Sequence, residues 1–218
     1  MEKKQFNFIW VCLGNPTFTD QHFWETTLMK LATHKIDYTI CMFDKPFQKT
    51  LQWLWYTERQ SELESNKKVR YTKNKIIAAL QSVPESGGLD ISYVDRERDV
   101  ASKNEYVAAK KYIEGLYNEN TTIRSYIDAE SEKVLMWLAS NYHKSDYLKI
   151  SLRSEHVRKP SEYILDELAF FFSAHLIFQT DTARLIYPKT RQLLHDVFAE
   201  IPLEYTSHFS LITLDEIW

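Results

Sequence analysis

Apolar residues come in short runs separated by longer stretches of helical spacing, and this alternation is the first sign of the architecture. Phe6 to Leu13 is apolar on both faces, as expected of a strand covered by helices on either side. Asp20 to His34 repeats Phe23, Leu28 and Leu31 near helical spacing, with Asp20 as its cap. Ile36 to Phe43 reads as a second strand, and Phe47 to Arg59 as an aromatic-rich helix. Asn66 to Ser82 reads as an amphipathic helix, with Val69, Ile76 and Leu80 on one side and Lys67, Lys68 and Lys75 on another. A PESGG turn at 84–88 leads into a third strand over Leu89 to Val94. Helices follow over Asn104 to Tyr117 and Thr121 to His143, then a candidate strand over Tyr147 to Leu152. The next helix, Pro160 to Ser173, has proline in its first turn, where the missing donor is not needed. Ala183 to Tyr187 is a strand stopped by Pro188, Thr190 to Ala199 a helix, and Phe209 to Leu214 a last strand. Strands alternating with helices predict an α/β fold with a mainly parallel central sheet and helices on both faces.

Composition narrows the classes. A length of 218 residues fits one domain, 1–218, with a full core, and 44% hydrophobic with 26% charged residues argues against disorder. Only 4 glycines are present, with no G-x-G-x-x-G and no Walker-type lysine loop, so no phosphate-cradling loop is expected. Cys12 and Cys41 make neither a disulfide framework nor a metal site, and the histidines have no ligand spacing, so no metal and no cofactor are expected. The charged N-terminus has no apolar core of a signal peptide. No apolar run reaches the roughly 18 residues of a membrane span. A cytoplasmic protein with reduced thiols and no membrane partner is the expectation.

The net charge of -3 hides one local excess. Lys67, Lys68, Arg70, Lys73 and Lys75 fall together, with no acid between Glu64 and Glu85. Such a patch attracts phosphate backbones without reading sequence, although a solvated helix face gives the same pattern.

Candidate chemistry gathers at strand ends, because ligands of open α/β sheets bind outside the carboxyl ends of the strands. Cys12 closes the first strand, with Asn15 three residues on. Taken alone, Cys12 also fits a buried, inert thiol, and Cys41, mid-strand, reads as core. Tyr163 and Glu167 are four apart and share a helix face that is otherwise largely apolar. A carboxylate there is either at a rim or buried with a cationic partner. Tyr187 ends its strand and is either a proton relay or a core aromatic.

In combination, I-W-V-C-L-G-N-P-T-F, the basic helix, Y-I-L-D-E and L-I-Y-P, in that order and over nearly the whole chain, resemble the tRNA-dependent cyclodipeptide synthases. That resemblance implies a Rossmann-like domain similar to the catalytic domain of class I tyrosyl- and tryptophanyl-tRNA synthetases, whose ATP-binding signatures are missing here. It implies synthesis of 2,5-diketopiperazines from two aminoacyl-tRNAs without metal or nucleotide cofactor, and a monomer is the expectation. Cys12 stands in the place of the family's nucleophilic serine. Tyr163 and Glu167 match the pair that holds the first α-amino group, Tyr187 the tyrosine placed for proton transfer, and Asn15 the asparagine of one subfamily. Tyr187-Pro188 matches the other subfamily. Lys67, Lys68, Arg70, Lys73 and Lys75 match the helix that contacts tRNA. Trp10 replaces a usual glycine, and Ala169 a proline often found after the glutamate. Trp10, with Phe8 and Leu185, makes the candidate pocket for the first amino acid, and an indole there predicts a small residue such as glycine or alanine. Two other readings stay open: a cysteine-nucleophile hydrolase or acyltransferase without tRNA, and a non-catalytic tRNA-binding module.

Overall fold

The computed structural model describes the chain apart from residues 1–3, 14, 43–46, 49–50, 53–56, 84–91, 142–153, 188–191, 215 and 217–218. Its centre is strand β1, Gln5–Val11, hydrogen-bonded on both sides. With β2 (Thr39–Met42), β3 (Ser92–Asp95), β4 (Thr182–Tyr187) and β5 (Phe209–Thr213) it forms a sheet of order β3-β2-β1-β4-β5. Every pairing is parallel; Ile9 sits opposite Ile40 on one side and Ile186 on the other. This is the α/β architecture expected from the apolar pattern, with helices on both faces.

Alternation along β1 sorts its side chains between two cores. Phe8 and Trp10 join Cys41 and Leu185 on one face, under α3 (Asn104–Glu119), α4 (Thr121–Asn141), α5 (Ser154–Ile177) and α6 (Gln192–Ala199). Ile9, Val11 and Leu13 join Ile40 and Met42 on the other, under α1 (Gln21–Thr33) and α2 (Glu58–Ser82). A short α7 (Leu203–Thr206) precedes β5. Cys41 is fully buried, and burial pushes its thiol up, so it is a core residue as expected.

Several boundaries differ from the sequence reading. Strand two begins at Thr39 rather than Ile36, because Lys35 reverses the chain after α1 with φ of 51°. The helix expected over 47–59 is broken: Thr57 is extended and caps α2, although Phe47, Gln48, Leu51 and Gln52 are helical. α2 therefore starts at Glu58, well before Asn66. Thr57 and Gln60 form a capping box, and the buried stripe runs through Ser61, Ser65, Thr72, Ile76 and Ala79. Its first half is small and polar, which apolar periodicity does not register. α5 starts at Ser154, so Pro160 lies in its second turn rather than its first. The strand expected over Tyr147–Leu152 lies outside the described residues.

Candidate active site

Sheet order fixes where a site forms. From β1 the chain moves outward through β2 and β3, whereas β4 and β5 lie on the other side of β1. The carboxyl ends of β1 and β4 therefore flank the topological switch point, where α/β sheets open a crevice. Cys12 directly follows β1, and Tyr187 ends β4.

The turn after Cys12 is held locally. The Asn15 amide donates to the Cys12 carbonyl at 2.9 Å. Asn15 Oδ1 accepts from the Thr17 amide at 3.0 Å and caps the 3₁₀ turn Pro16–Thr19. Asn15 is thus a capping residue in this structure. Phe18, fully buried, receives the Trp24 indole N–H on its carbonyl at 2.9 Å.

Helix α5 supplies the facing wall. The spacing of four places Tyr163 and Glu167 on one side, and both meet residues of the β1 strand end. The Tyr163 hydroxyl donates to Cys12 Sγ at 3.2 Å. The Trp10 indole N–H donates to Glu167 Oε1 at 2.6 Å, with both residues only 1% exposed. Burial, then the neighbouring Cys12 and Glu167 charges, holds the Tyr163 phenol well above its usual range. It stays protonated and serves as a donor to sulfur.

The remaining expected residues fall at different depths. Tyr187 is half-buried at the same sheet edge, its ring edge-on to Phe18 at 6.4 Å. Phe8 and Leu185 are paired across β1 and β4, fully buried, and belong to the same core cluster as Trp10. Phe8 packs against Phe170 and Phe171 of α5, as Trp10 does.

The basic helix does not present its charges as one outer face. Arg70 and Lys67 are exposed, and Lys67 pairs with Glu64 at 3.8 Å. Lys75 lies over the Tyr71 ring at 5.5 Å, and Lys73 is half-buried. Lys68, expected on the outer side, is half-buried in line with the inward stripe, and burial lowers its ammonium from the usual range.

Sequence reasoning missed one group. Asp166, 3% exposed, accepts the Tyr106 hydroxyl at 2.9 Å and the Lys110 ammonium at 2.8 Å, both on Oδ1. These bonds tie α3 to α5 one residue before Glu167. Tyr106 and Lys110 are four apart on α3, the signal that could have marked them as a unit. Among the described residues, no three His, Cys, Asp or Glu side chains are arranged to hold a metal ion. No helix among them is long and apolar enough to cross a membrane.

A thiol at a strand edge, a neutral phenol donating to it and a buried carboxylate on the same helix face can together hold an ammonium beside a nucleophile. The cyclodipeptide synthase family model matches residues 1–208. No curated protein matches the chain in sequence. In structure the chain is similar to a cyclodipeptide synthase from Bacillus thermoamylovorans, with TM-score 0.77 and 17% identity over 95% of this chain and 86% of that one. AlbC, a cyclodipeptide synthase from Streptomyces noursei, gives TM-score 0.74 at 13% identity, covering 99% and 98%. A cyclodipeptide synthase from Candidatus Glomeribacter gigasporarum, bound to Phe-tRNAPhe, gives 0.62 at 14%, covering 98% and 88%. At these identities the structural likeness speaks for the fold, and the family match over almost the whole length speaks for membership: the chain belongs to the cyclodipeptide synthases, transferases that use aminoacyl-tRNA.

Proposed function

We propose that this enzyme makes a 2,5-diketopiperazine from two aminoacyl-tRNAs by ping-pong covalent catalysis on Cys12, as a single-domain monomer. The observation that carries the reading is the 3.2 Å bond from Tyr163 to Cys12 Sγ, on the same helix face as Glu167. The Cys12 thiolate attacks the ester carbonyl of the first aminoacyl-tRNA; the carbon–sulfur bond forms, the ester bond breaks, and the tRNA hydroxyl leaves with a proton. Glu167, with Tyr163, holds the ammonium of the bound aminoacyl group. The amine of the second aminoacyl-tRNA then attacks the thioester, forming the peptide bond and freeing the thiolate. Cys12 takes the dipeptidyl group from its tRNA by the same exchange. The dipeptide's amine attacks this second thioester, closing the six-membered ring and restoring the thiol. Tyr187 is the candidate proton relay, and Asn15 helps place the second substrate.

A thiol suits this work. Its unperturbed pKa of ~8.5 puts thiolate within far easier reach than a serine alkoxide. Incubation with a mixture of aminoacyl-tRNAs should yield cyclic dipeptides detectable by mass. Turnover of simple esters with no cyclic product would instead favour a hydrolase.

Trp10 sets the size of the first amino acid in this reading. Its indole fills the space beside Glu167 that a glycine would leave open, so a first residue such as glycine or alanine is expected. Trp10→Gly should extend the products to larger first residues. Trp10→Phe keeps most of the bulk and should leave the product set narrow. The gate has no support if a folded Trp10→Gly enzyme makes the same products as the parent.

A further inference from the structure

Away from the Cys12 crevice, a cavity of about 280 Å³ opens against α2, lined by Phe47, Glu64, Lys67, Lys68 and Tyr71. Two aromatic rings and two ammonium groups meet in one hollow. Phe47 is 5% exposed and forms the floor, while Tyr71 is 50% exposed at the mouth. The volume falls just under the roughly 300–1,000 Å³ of pockets for drug-sized ligands, which suits a single planar ring system.

The charges in the hollow are unequal. Glu64 already holds Lys67 at 3.8 Å. Lys68 is half-buried, and burial disfavours its charge, so an anion in the cavity would relieve it. Position matters as well. β2 and β3 are parallel neighbours, so the intervening α2 returns from the carboxyl edge of the sheet to its amino edge. The N-terminal half of α2, which carries residues 64–71, therefore lies at the edge that holds Cys12. α2 also touches the 3₁₀ turn that follows Cys12.

We propose that this cavity binds one unstacked nucleotide of the substrate tRNA, its base against Phe47 and Tyr71 and its phosphate on Lys68, a site that rests on the tRNA-using function above. Lysines that merely track a phosphate backbone need no aromatic neighbours. Aromatic rings set among basic residues are the usual platform for unpaired bases. Glu64 adds an acceptor suited to a base edge that carries an amino group.

Binding of uncharged tRNA over a salt series tests the site. Tyr71→Ala should raise Kd about five- to tenfold, the lower part of the range for losing one base stack, without altering the salt slope. Tyr71→Phe should bind like the parent, because the ring remains. Lys68→Gln should weaken binding and lower the salt slope by about one. The site is overturned if Tyr71→Ala binds within twofold of the parent, or if Tyr71→Phe is as weak as Tyr71→Ala. Cyclodipeptide formation by the parent, measured alongside, separates the two ideas: product with unaltered Tyr71→Ala binding removes only the nucleotide site, whereas no product removes the function on which it rests.

Discussion

Cys12→Ala is expected to abolish cyclodipeptide formation, lowering turnover by roughly a thousandfold or more, as loss of a covalent nucleophile does. The fold should survive. Cys12 lies at the strand end between the two cores rather than inside either, and alanine leaves β1 and its pairing intact. What disappears is the proposed acyl carrier and the acceptor of the Tyr163 hydroxyl. Cys12→Ser restores a hydroxyl of the kind the family uses at this place, so a slower enzyme with an ester intermediate is expected. Mass detection of cyclic dipeptide from aminoacyl-tRNA decides the matter. An alanine variant within tenfold of the parent would mean that Cys12 carries nothing.

Glu167→Gln should lower kcat/KM by about a hundredfold while changing the melting temperature little. Glutamine keeps an acceptor for the Trp10 indole, so the 2.6 Å bond that joins β1 to α5 can persist. It removes the charge that would meet the substrate ammonium. A charge-assisted hydrogen bond in a dry site is worth about 1.5–3 kcal/mol, and the upper part of that range is the hundredfold expected. Steady-state kinetics and a thermal melt together check this. Lower stability with unchanged kcat/KM would assign Glu167 to the core alone.

These two residues also mark how far the sequence could be read. The i, i+4 spacing was enough to put Tyr163 and Glu167 on one face, and strand alternation was enough to put Phe8, Trp10 and Cys12 together. Neither pattern could bring the two sets into contact, because Trp10 and Glu167 are separated by 157 residues and meet only through the packing of α5 on the sheet. Asp166 was passed over for the same reason: its partners Tyr106 and Lys110 are 60 and 56 residues away, on another helix. The start of α2 was legible in Thr57 and Gln60, a capping box, but its buried face opens with Ser61 and Ser65. Small polar residues that pack closely carry no hydrophobic signal. Lys68 was misplaced for the related reason that the stripe it lies on is not apolar. The start of α5 was hidden in S-E-H-V-R-K, a charged run in which Pro160 looked like a first-turn residue.

The chemistry of the site reduces to whether Cys12 is acylated during turnover. Intact mass after exposure to one kind of aminoacyl-tRNA is the direct measurement. A gain of one aminoacyl group is expected, mapped to Cys12, absent in Cys12→Ala, and discharged as cyclic dipeptide when a second aminoacyl-tRNA is added. Cyclic dipeptide accumulating while the Cys12 thiol stays unmodified and open to alkylation would contradict it.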